Sequence, residues 1–113
     1  MILKQGDRVL IVHRRLFDGD SGRFFLAVVD AYEQGLARVT GYTFVREQLE
    51  GRVLRKEDCR TKIVSLAAGS LIVYQLPDDL VIEDVQVVIR ESRLSMTDGR
   101  QFDMNLSEHA YSG

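Results

Sequence analysis

Apolar and polar residues alternate with period two through most of this chain, and turn-forming residues break the alternation at short intervals. In a strand, successive side chains point to opposite faces, so such a rhythm sends one set of residues to a core and the other to solvent. Residues 8–14 read as a first strand, followed by the loop Asp18-Gly19-Asp20-Ser21-Gly22. Residues 23–33 are apolar on both faces, which predicts a strand covered on both sides. Gln34-Gly35 ends it, and residues 36–46 read as its hairpin partner, glycine supplying the positive φ of a tight turn. Residues 47–50 suggest a helical turn stopped by Gly51, and residues 52–55 a short strand. Residues 62–66 and 71–76 are further strands joined through 67–70. Pro77, the single proline, fits a strand end because it cannot donate to a ladder. Residues 85–90 continue the pattern. Residues 94–97 and 102–106 alternate on either side of Asp98-Gly99, a strong short-range hairpin signal. About eight strands and no long helical pattern predict an all-β fold, a small antiparallel β-barrel or sandwich.

A chain of 113 residues is expected to form one domain, 1–113, burying roughly two-thirds of its unfolded surface. No apolar stretch approaches the ~20 residues of a membrane-spanning helix, so no membrane partner is expected. Residues 1–6 lack the charged head and apolar run of a signal peptide. Cys59 is the only cysteine, which excludes an internal disulfide and a cysteine-rich zinc site, and a reducing cytoplasm is the expected location.

The net charge of −2 is unevenly spread. Residues 1–75 carry twelve basic and nine acidic side chains, and residues 76–113 carry three and eight. Twelve of the fifteen basic residues are arginine. This suits a mixed, solvated surface, or a mildly basic body that contacts an anion and carries an acidic appendage. It does not suit strong nonspecific nucleic-acid binding, which needs a dense positive stripe.

No catalytic set assembles in the sequence. Asp18 to Gly22 resembles the start of a calcium loop, but the twelfth position is Val29, which cannot coordinate. His13 and His109 have no ligand-spaced partner, and Cys59 has no flanking Gly-rich elbow. Asp78-Asp79 and Glu83-Asp84 fall in turn-like segments and read as solvation. No Gly-rich phosphate loop precedes a helix, so no metal or cofactor is expected. Residues 40–46, Thr-Gly-Tyr-Thr-Phe-Val-Arg, partly match the signature strand of RNA-recognition motifs. That fold needs two helices, which the periodicity does not show. Tyr42 and Phe44 share a strand face and read as core or interface aromatics.

Read in order, residues 6–77 resemble the Sm-like small β-barrels. Gly6-Asp7-Arg8-Val9-Leu10-Ile11-Val12 resembles the opening strand of that family. Phe25-Leu26-Ala27-Val28-Val29-Asp30-Ala31-Tyr32 resembles its first motif, a long bent strand ending in an aspartate before a turn. Gly51-Arg52-Val53-Leu54-Arg55-Lys56 resembles the variable hairpin, and Leu66-Ala67-Ala68-Gly69-Ser70-Leu71-Ile72-Val73-Tyr74 the second motif. The resemblance implies a small SH3/Sm-like barrel over 6–77, with residues 78–106 as an added C-terminal β-hairpin and 107–113 as a frayed tail. It implies RNA binding, with Tyr32 stacking on a base and Gln34 reading a base edge. Gln34 stands where the family has asparagine, and Ala68 where it has an arginine that closes the pocket, so that contact is lost. It also implies a homo-oligomeric ring built through edge strands. The leading expectation is a non-enzymatic, self-associating binding module. The alternatives are a structural or protein–protein interaction domain, resting on the acidic C-terminal third and the missing arginine, and a small-ligand binder or enzyme with a pocket at the barrel mouth.

Overall fold

In a computed structural model of the chain, residues 3–13, 23–46, 53–67, 69, 71–91 and 93–106 are described. The loop at 18–22, the helical turn at 47–50, Ala68, His109 and the tail at 107–113 lie outside them. Eight strands form: β1 (Arg8–His13), β2 (Arg23–Glu33), β3 (Leu36–Arg46), β4 (Val53–Ser65), β5 (Leu71–Leu76), β6 (Gln86–Arg90), β7 (Arg93–Thr97) and β8 (Asp103–Asn105). A 3-10 turn, Ile82–Asp84, precedes β6.

The first five strands make one antiparallel sheet in the order β4-β3-β2-β1-β5. β2 and β3 join through Gln34 and Gly35, whose φ values of 47° and 84° match the doubly positive φ of a type I′ hairpin turn. Two irregularities bend the long strands. In β2 the register shifts between Val29 and Ala31, leaving Asp30 as the extra residue. Between β3 and β4, Tyr42 pairs with Cys59 and Phe44 with Arg55, so Thr43 alone faces Lys56, Glu57 and Asp58. Such bulges increase local twist.

The period-two pattern splits the sheet into two buried faces. Leu10, Val12, Phe24, Leu26 and Phe44 face one way and pack with Leu80, Ile82, Val85, Leu94, Met96 and Leu106. Those last residues come from the 3-10 segment and from a second antiparallel sheet, β6-β7-β8. Arg8 Nε donates to the Leu80 carbonyl at 2.9 Å, and Arg55 donates to the Glu83 carbonyl at 2.6 Å, tying the two layers at their rims. The C-terminal segment is therefore three strands rather than one hairpin. Its β7–β8 loop is also wider than a tight Asp-Gly turn. Asp98 accepts the N–H groups of Arg100 and Phe102 at 2.8 and 3.1 Å, an Asx-type closure that satisfies a longer loop.

On the other face, Val9, Ile11, Phe25, Ala27, Val29, Ala37 and Val39 form a second cluster with Leu3. Val64 near the end of β4 and Leu66 just past it pack on the same cluster as Leu71 and Val73 of β5, so the two sheet edges curl toward one another. β2 is thus covered on both sides, as its double apolar character predicts. A closed barrel is not seen. Among the described residues no ladder joins β4 to β5, and these edges approach through apolar side chains instead of backbone hydrogen bonds. The segments read as two strands at 52–55 and 62–66 are, over their described residues 53–55 and 62–65, parts of the single bent β4.

Candidate nucleic-acid interface

Tyr32 lies near the end of β2, opposite Ala37, past the bulge that turns the strand. The bulge matters to its position. It carries Tyr32 onto the curled face, where the ring packs half-buried on the second cluster. There it lines an open groove of about 390 Å³ with Leu3, Leu66, Leu71, Val73 and Gln75. Gln34 follows in the exposed turn and is not one of the groove-lining residues. The amide beside Tyr32 is that of Gln75. Its signal was present in the alternation of β5, which sends Leu71, Val73 and Gln75 to one face. What could not be read was that β5 would cross the sheet to pair with β1.

Gln75 is oriented from behind. Its Nε2 donates to Asp7 Oδ2 at 3.3 Å, which turns the amide oxygen away from the carboxylate. Asp7 is buried, 1% exposed, and also accepts the Lys4 N–H at 3.0 Å. A buried carboxylate is costly unless hydrogen-bonded, so these donors are what permit its position. The main chain at Asp7 and Gly6 exchanges hydrogen bonds of 2.8 Å with Val29, extending the β1–β2 ladder beneath the groove.

At the far end of the same face sits a group of basic side chains. His13 and Arg23 are directly opposed in the β1–β2 register. Phe25 is the next residue on that face of β2, and Lys62 of β4 holds its Nζ 4.5 Å from the Phe25 ring centroid. Partial desolvation, then the charges of Lys62 and Arg23, hold the His13 imidazole below its ordinary value. Partial desolvation, then Arg60, Arg23 and Lys56, hold the Lys62 ammonium below its own.

The His13 shift has a consequence for stability. The folded imidazole takes up its proton less readily than the unfolded one, so the unfolded state gains protons first as pH falls below 6.5. Stability is expected to drop as the pH falls from about 7 through 6.5 and below, and to drop less in His13→Gln. Urea-denaturation midpoints across that window check this, and parallel slopes for the two proteins would refute it.

Elsewhere, Arg55 stacks over Tyr42 at 5.2 Å, while Phe44 is fully buried. Both aromatics serve the core between the two layers, as their shared strand face suggests. Thr40 donates to Asp30 and lies 2.9 Å from the Thr61 hydroxyl, a polar bridge over the bulge. Cys59 is an exposed thiol on β4. Among the described residues, no three His, Cys, Asp or Glu side chains are placed to hold a metal ion, and no helix is long and apolar enough to cross a membrane. No protein-family model, curated protein or solved structure matches the chain.

Proposed function

We propose that this protein is a non-enzymatic, self-associating β-module of the Sm-like type that binds single-stranded RNA. The observation that carries the reading is the Tyr32 ring, set on a curled sheet face in an open groove with an amide beside it. An aromatic face takes a base by stacking, and an amide reads a base edge. Gln75 takes the amide role here, with Gln34 at the neighbouring turn. The family likeness of residues 25–32 is supported by a long β2 that bends at Asp30 before a tight turn. Self-association is supported by the two sheet edges, β4 and β5, each with one unladdered side among the described residues. Unpaired edges of this kind invite pairing with another chain.

Titration of short labelled RNA at low salt tests the reading. Tyr32→Ala is expected to weaken binding by about five- to a hundredfold, the worth of one base–aromatic stack. Light scattering is expected to give a mass above that of one chain. RNA that does not bind, or binds equally to Tyr32→Ala, removes the RNA role, and a monomer removes the ring.

One observation favours a second reading, a protein-interaction domain. Leu36 and Ile63, on the neighbouring strands β3 and β4, are 50% and 70% exposed. Partners that co-purify equally with and without nuclease would support it.

A further inference from the structure

We infer that the cationic end of the curled face, formed by His13, Arg23, Lys62 and Arg60, is a second binding site, specific for phosphate groups and separate from the Tyr32 groove.

Three strands meet here, and two of them bring fixed positive charge, Arg23 on β2 and Lys62 with Arg60 on β4. The β1–β2 register sets His13 directly across from Arg23. Side chains directly opposed on neighbouring strands are the closest cross-strand pairs, so His13, whose protonation the Arg23 charge opposes, stands beside that charge as a neutral hydrogen-bonding group. β4 then adds Lys62, laid over the Phe25 ring, with Arg60 two residues earlier on the same face of that strand. Among the described residues no carboxylate forms an ion pair with Arg23, Lys56 or Lys62. Among the described residues, Asp58 sits 3.6 Å from Arg60 with both side chains largely exposed, at 76% and 62%. A pair so exposed neutralises little.

A solvated surface of mixed charge does not need this arrangement, because alternating signs would lower the energy of the same strands. Among the described residues, positive charge gathered on neighbouring strands against the local rule favours a place where a bound anion supplies the opposite charge. Burial is the larger cause of the lowered His13 and Lys62 proton affinities, and the neighbouring cations, Arg23 among them in both cases, add to it.

The chemistry selects phosphate. An arginine offers a planar fork of donors matched to phosphate oxygens, and a lysine offers a compact charge. Lys62 is held by the ring beneath it, so less of its freedom is lost when the anion arrives. Phe25 is itself only 2% exposed and forms the floor of the site, not a stacking platform. Two sources share this chemistry: a free polyphosphate and the phosphodiester backbone of a nucleic acid. The site does not depend on the Tyr32 reading, since the cation-bearing residues do not line that groove.

The test is calorimetric titration of the full chain, at low salt, with tripolyphosphate and separately with a short oligothymidylate. Lys62→Gln and Arg23→Gln are each expected to weaken binding by about tenfold or more, the loss of one charge-assisted hydrogen bond. Arg38→Gln removes the same charge from the opposite face of the sheet and is expected to change affinity within about twofold. Tyr32→Ala is expected to leave tripolyphosphate binding unchanged. Far-ultraviolet dichroism confirms that each variant is folded, and Arg23→Gln carries the test if Lys62→Gln is not. Binding of tripolyphosphate identifies a free-phosphate site, and binding of the oligonucleotide alone identifies a backbone site. Either result supports the inference when Lys62 and Arg23 are required for it. It is overturned if neither ligand binds, if Arg38→Gln costs as much as Lys62→Gln, or if Tyr32→Ala removes tripolyphosphate binding.

Discussion

Gly41→Ala is expected to prevent folding, or to lower the melting temperature by about 16 °C or more, the equivalent of about 4 kcal/mol. Gly41 lies on β3 opposite Ala27, immediately before the register shift that bends β3 against β4. A Cβ at this position would sit 1.9 Å from the Leu26 carbonyl oxygen and 2.6 Å from the Ala27 Cα. These are main-chain atoms of the central strand, so no rotamer change relieves the overlap. The methyl group would have to push β2 and β3 apart, and β2 carries the inward residues of both cores. Overpacking in a well-filled core typically costs about 1–3 kcal/mol when side chains can yield. Here the obstacle is backbone, so the upper end of that range is exceeded. Gly69→Ala is the matched control, because a Cβ there meets nothing within 4 Å. It is expected to change stability by no more than about 0.5 kcal/mol. Parallel thermal melts of the two variants decide the matter, and a well-folded Gly41→Ala would show that the close approach of β2 and β3 can relax.

Gly41 also shows where sequence reading stops. In the sequence it is one letter of a partial RNA-recognition strand. Its actual role is the close passage of the β2 and β3 backbones, which leaves no mark on the hydrophobic pattern. The pattern does mark strands that bury a face. β2, β3 and β5 run Arg23–Glu33, Leu36–Arg46 and Leu71–Leu76, the limits suggested by Gln34-Gly35 and Pro77. β4 reads as two pieces because residues 54–61 are all exposed or half-exposed and five of the eight are charged. An edge strand of that kind has little core imprint to read. The 3-10 turn at Ile82–Asp84 and the third strand of the C-terminal sheet are short for the same kind of signal. At the candidate site, Tyr32 was legible as an aromatic before a turn. Gln75 was not, because the pairing of β5 with β1 spans most of the chain. The cation group was hidden for the same reason. His13, Arg23 and Lys62 are ordinary strand residues until the sheet curls.

Leu94→Ala is expected to destabilise the whole described fold, not only the C-terminal sheet, by about 3–5 kcal/mol, or about 10–30 °C in melting temperature. Leu94 is fully buried in β7, and its carbonyl accepts the Leu106 N–H at 2.8 Å, closing the end of the small sheet. That sheet has strands of five, five and three residues, too short to be stable by itself. Its apolar side, Leu94, Met96 and Leu106, belongs to the same cluster as Leu10, Phe24 and Phe44 of the large sheet. Each layer is therefore the other's cover. A cavity left by truncating Leu94 removes contacts from both at once, and the large sheet would lose the surface that keeps Phe24 and Leu26 from water. The expected signature is one cooperative transition, lowered as a unit. Hydrogen exchange resolves the alternative: in Leu94→Ala, amides of β1 and β2 should lose protection in step with those of β6 and β7. If β1 and β2 keep their protection while β6 and β7 lose theirs, the second sheet is an appendage, and the core between the layers does not hold the first one together.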